Sequence, residues 1–137
     1  MLYALIYISI LLPFCVLDAI WLTSTASVLY KPTLGDILLA SPKIAPLIAF
    51  YLMYPIALVI FAGMPAVKAG SVMPALIYGA AFGAFAYATY DLTNFATLRN
   101  WTLQLSVIDV LWGTFASGLA SAIGYTVAMK LSAMLGW

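Results

Sequence analysis

The sequence predicts an all-α fold, an integral membrane four-helix transmembrane bundle, on three observations. Of its 137 residues, 66% are hydrophobic and 7% are charged, and the mean hydropathy is +1.14; a soluble domain carries about 25% charged residues. Apolar stretches recur four times along the chain, each near or above the roughly 20 residues that cross about 30 Å of hydrocarbon. These stretches are continuous, whereas barrel strands alternate over about 10 residues.

The first span is placed at residues 2–24, interrupted by Pro13 and Asp18. It lacks Lys or Arg near its start and has only a weak small-residue site at its end, so it reads as a retained span and not as a cleaved signal. The second is placed at 44–62, entered through Pro42 and Pro46 and containing Pro55. The third, 74–98, opens with Pro74 in its first turn, where a missing N–H costs little. The fourth, 103–135, exceeds one span and is expected to tilt or leave the membrane near Lys130. A connection over 25–43 is expected to carry a short interfacial helix around Leu34–Leu39, and a second connection covers 63–73. The whole chain, 1–137, reads as a single transmembrane domain in contact with the lipid bilayer.

Composition also sets limits on chemistry. There is no His, there is one Cys, and all four acids are Asp. That excludes His-ligated haem, Cys/His zinc sites, Ser-His-Asp triads and disulfides within the chain. No cofactor and no resident metal site is expected. A net charge of +1 gives none of the basic footprint of a nucleic-acid binder, so no nucleic-acid partner is expected. Cations divide evenly between the two membrane faces, with Lys31, Lys43 and Arg99 on one and Lys68, Lys130 and the terminal amine on the other. The positive-inside rule therefore leaves orientation open.

The acids carry the strongest functional signal. Asp18, Asp91 and Asp109 all fall inside spans, close to span ends that open on the same membrane face. At 1.5 Å rise per residue, each lies roughly 9–11 Å inside that surface. An Asp facing the bilayer centre costs about 2.5–3.5 kcal/mol on insertion scales, so the three are expected to face inward. Like charges held together favour a retained proton, and at least one of the three is expected to hold one.

Candidate partners lie at the same depth. Tyr51 and Tyr54 are on the second span; Tyr87 and Asn94 share the face of Asp91 on the third. Asp18 and Trp21 form an Asp-x-x-Trp pair that Asp109 and Trp112 repeat. A Trp beside an acid can wall a cavity or bind a cation, although Trp21, like Trp101, also fits an interfacial anchor. Arg99, beyond Asp91, is the nearest cation. The candidate ligand- or proton-binding set is therefore Asp18, Asp91, Asp109, Asn94, Tyr51, Tyr54, Tyr87, Trp21, Trp112 and Arg99, with no catalytic residue assigned. Gly79 and Gly83 on the third span, and Gly113, Ser117 and Ser121 on the fourth, form small-residue stripes that allow close helix packing, within the chain or in a homodimer.

The run from Phe85 to Leu98, with its Tyr90-Asp91-Leu92-Thr93-Asn94 core, is followed by Trp101. Together with Asp18-Ala19-Ile20-Trp21-Leu22, Phe50-Tyr51-Leu52-x-Tyr54 and Asp109-Val110-Leu111-Trp112-Gly113, it resembles a family of small bacterial inner-membrane proteins catalogued as a domain of unknown function. The resemblance implies four spans, a multi-pass location in the bacterial inner (plasma) membrane, and cytoplasmic termini that place the acids on the periplasmic side. It implies no activity. The expected function is binding or transport of a small solute, cation or proton by an intramembrane carboxylate pocket. A structural or accessory subunit and a lipid-acting membrane enzyme are the alternatives, and whether the protein is an enzyme stays open.

Overall fold

The computed structural model describes residues 1–136. Among them are six α-helical segments and no strand: α1 (Leu2–Thr25), α2 (Lys31–Leu34), α3 (Ile44–Leu58), α4 (Met64–Ala69), α5 (Val72–Thr97) and α6 (Leu103–Leu135). They make four helical rods long and apolar enough to cross a membrane, Leu2–Ile37, Ile44–Ala69, Val72–Thr97 and Leu103–Leu135.

The first two rods run further than the sequence led us to expect, for a shared reason. α1 passes through a π turn, Ala26–Tyr30, into α2 and a 3₁₀ turn, Gly35–Ile37. α3 passes through a second π turn, Val59–Gly63, into α4. Each π turn is followed two residues later by a proline, Pro32 or Pro65. A proline in a helix lacks its N–H, and its ring crowds the carbonyl four residues back. The wider π turn makes room for that carbonyl, so the helix shifts register instead of ending. No separate interfacial helix therefore forms at Leu34–Leu39; helical structure there ends at Ile37 and continues from α1. The second connection shrinks to Gly70 and Ser71, with Gly70 left-handed at φ +61°.

Side-chain caps fix the starts of the other two rods. Ser71 accepts from the Met73 N–H at 3.2 Å, and Thr102 accepts from the Leu105 N–H at 3.1 Å. Each satisfies one of the N–H groups that a helix start leaves unpaired.

α6 is the centre of the bundle and packs on α5 and α1. Its contact with α5 is backbone to backbone. A Cβ on Gly83 would lie 2.2 Å from the Gly113 carbonyl oxygen, and one on Gly79 would lie 2.8 Å from that of Ser117. A Cβ on Gly113 would enter the Tyr87 ring at 2.2 Å. Lipid is as apolar as a side chain, so close packing and polar contacts must hold such helices together. On the other flank Gly124 admits Ile10, and the enclosed Ile6, Ile10 and Phe14 of α1 meet Leu58, Val59, Ala116 and Ala120. α3 diverges: every residue from Ile44 to Phe50 is exposed, and α3 touches α1 but scarcely α5.

Candidate functional site

The α5–α6 and α1–α6 contacts bring Asp18, Asp91 and Asp109 into the protein. Asp18 is 7% exposed, Asp109 4% and Asp91 0%. Asp109 lies close enough to both others to interact electrostatically. Among the described residues, no three such groups converge tightly enough to clasp one metal ion.

Two of the acids are served by aromatic donors. The Tyr51 hydroxyl donates to Asp18 Oδ2, and the Trp112 indole N–H approaches Asp18 Oδ1 at 3.4 Å. The Tyr30 hydroxyl donates to Asp109 Oδ1 and accepts from the Trp21 indole at 2.9 Å. The repeated Asp-x-x-Trp pattern is thus a reciprocal brace between antiparallel α1 and α6. The tryptophan of α6 serves the acid of α1, and the tryptophan of α1 serves, through Tyr30, the acid of α6. The two indoles stack between them, with centroids 4.5 Å apart and planes at 5°. Trp21 is therefore built into the bundle, where the sequence also allowed an interfacial anchor.

Asp91 differs. Neither of its carboxyl oxygens has a hydrogen-bond partner among the described residues, although no part of the residue is exposed. The Trp101 indole interacts with the carboxyl, but its 3.1 Å hydrogen bond goes to Ser106 Oγ. Ser106 Oγ lies 3.4 Å from the Asp91 backbone oxygen and not at the carboxyl. Burying a carboxylate without partners is among the costliest arrangements a protein can hold.

The remaining candidates divide. Tyr87 sits on Gly113, with its ring edge-on to Tyr54, and is close enough to Asp18 and Asp109 to interact with both. Tyr54 bonds to Ser117 Oγ at 2.8 Å and to no acid. Asn94 interacts with Tyr90, and Arg99 is exposed past the end of α5; neither partners any of the three carboxyl groups. Trp101, expected at the interface, is 6% exposed and packed between Leu34 and Leu105, because α2 folds over it. Sequence reasoning missed Tyr30 and read Ser117 only as a small packing residue, not as the partner of Tyr54. Tyr30 falls in a segment read as a connection. The absence of Gly or Pro over 26–31 was the one signal that the helix could continue far enough to deliver it.

No curated protein and no solved structure matches the chain. A family model does: the one described as predicted membrane protein (DUF2177) matches residues 3–126. With four crossing-length helices and that match over most of its length, the chain belongs to this family of multi-pass membrane proteins of unknown function.

Proposed function

We propose that the protein binds and passes a proton or small monovalent cation through an intramembrane site centred on Asp91. The carrying observation is that Asp91 alone of the three acids is fully enclosed with both carboxyl oxygens unpartnered. A buried carboxyl without protein donors is stable only if something else satisfies it, and a proton, a cation or water does so. Asp18 and Asp109 form the frame in this reading, since each already has an aromatic donor. Tyr87, between Gly113 and the other acids, is the candidate relay. The acids do not gather as a metal cage does, which favours a singly charged ligand over a divalent one.

Four spans are few for a path, so the reading includes a homodimer in the bacterial inner membrane. Gly79, Gly83, Gly113, Ser117 and Ser121 are buried inside the protomer. The dimer contact therefore falls on another face, with the half-buried Ala84 and Ala88 as the remaining small-residue stripe. The accessory-subunit alternative draws on the reciprocal Trp brace, which is what a purely structural use of acids looks like.

The test is flux into proteoliposomes under an imposed proton, sodium or potassium gradient. Wild-type protein is expected to pass one of these ions above empty vesicles, and Asp91→Asn is expected to lower that flux by at least about tenfold, the loss of a 1.4 kcal/mol interaction. Equal flux in the two proteins removes Asp91 from the path.

A further inference from the structure

A second site, not lined by any of the three acids, lies where α3 diverges from α5. The space between them is a cleft of about 860 Å³, within the range of small-molecule sites. Its walls are almost wholly apolar. Leu47 and Phe50 line it from α3, Ala86 and Tyr87 from α5, and Leu39 and Lys43 lie at its rim. The α3 wall is open to the membrane, since every residue over 44–50 is exposed, and at its inner end Phe50 meets Phe14 of α1.

The rim carries the information about the occupant. Lys43 is the N-cap residue of α3, and no side chain caps that helix start. The free Ile44 and Ala45 N–H groups, the positive end of the helix dipole and the Lys43 ammonium all favour an anion at one point. The same end of the bundle holds exposed Lys31 and Arg99. The three buried acids lie deeper at this end, and its one exposed acid, Asp36, accepts from the Asn100 side-chain amide at 3.1 Å. A positive rim above an apolar cleft has the chemistry of an anionic phospholipid: phosphate at the surface and acyl chain below.

We infer that the cleft between α3 and α5 is a specific site for one anionic phospholipid, with its headgroup phosphate on Lys43 and the start of α3, and its acyl chain between Leu47 and Ala86. None of the three acids lines the cleft; Tyr87 is a wall it shares with the ion path, so the site is tested by lipid retention and not by flux.

Native mass spectrometry of delipidated protein in detergent tests this, with phosphatidylglycerol and phosphatidylcholine of matched chains added in turn. One phosphatidylglycerol is expected to be retained with about tenfold preference, and Lys43→Ala is expected to lower that preference about fivefold, as loss of one basic contact should. Ala86→Trp fills the cleft from one wall and Leu47→Trp from the other. Whichever of the two keeps wild-type helicity is expected to retain neither lipid. Equal retention of the two lipids overturns the inference in favour of ordinary bilayer solvation. Displacement of phosphatidylglycerol by inorganic phosphate overturns it in favour of a free-anion site. A lipid-free dimer that dissociates in the filled variants assigns the cleft to a second copy of the chain. Lipid retention unchanged in Lys43→Ala or in the filled variants also overturns it.

Discussion

Gly83→Ala is expected to destabilise the bundle more than any other methyl added to it, by upwards of about 3 kcal/mol, above the usual range for overpacking. The reason is what the new Cβ would meet. It would sit 2.2 Å from the Gly113 carbonyl oxygen and 2.5 Å from Ser117 Oγ. The nearest obstacle is backbone, which cannot rotate away as a side-chain tip can. Relief requires α5 and α6 to move apart along their main contact, and Tyr87 and Asp91, on the next turns of α5, would move with them. Gly113→Ala meets the Tyr87 ring at 2.2 Å and is expected to cost nearly as much. Gly118→Ala is the control on the same helix pair. Its Cβ would meet Ala80 Cβ and the Leu76 carbonyl oxygen at 3.0 Å, a contact that a shift of a few tenths of an ångström relieves. Thermal unfolding in detergent is expected to rank Gly83→Ala and Gly113→Ala well below Gly118→Ala, the mildest of the three. Equal melting temperatures across the three would mean that the close approach of α5 and α6 is not what holds the fold.

The second large effect is an inversion: removing one hydroxyl should harm stability more than neutralising a buried acid. Tyr30→Phe removes the donor to Asp109 and the hydroxyl oxygen to which the Trp21 indole donates. Hydrogen bonds to charged groups contribute about 1.5–3 kcal/mol, and a loss of that size is expected. Asp91→Asn changes a carboxyl that meets only the Trp101 indole, whose hydrogen bond goes to Ser106, so it is expected to shift stability by less than about 1 kcal/mol in either direction. Guanidine-free thermal melts of the two variants in one detergent check the order. A large loss from Asp91→Asn with none from Tyr30→Phe would make Asp91 the structural lock and the brace incidental.

Much of the architecture was legible because the relevant signals are local and additive. Composition and the length of continuous apolar runs suffice for an all-helical membrane protein with four crossing helices. The small-residue stripes on α5 and α6 carry their meaning in spacing alone, and the two helices do pack on them. What was not legible depends on register. Pro32 and Pro65 fall in segments expected to be connections, yet a π turn that ends two residues before each absorbs it, and no composition signal announces it. That register shift carries Tyr30 to Asp109 and Leu34 over Trp101, so both the missed donor and the misplaced interfacial tryptophan trace to one turn. Similarly, the two Asp-x-x-Trp pairs were visible, but not that each tryptophan serves the opposite helix. That crossing depends on how α1 and α6 pack side by side. Arg99 was chosen by nearness in sequence to Asp91, and the end of α5 turns it outward instead.

The most direct test of the central claim is an experimental density map of the protein in lipid nanodiscs, read at the Asp91 carboxyl. The account predicts that Asp91 stays enclosed between α5 and α6, with an ordered water or ion within about 2.7–3.2 Å of a carboxyl oxygen. A carboxyl packed on all sides by carbon, or one turned out to face lipid, would contradict it.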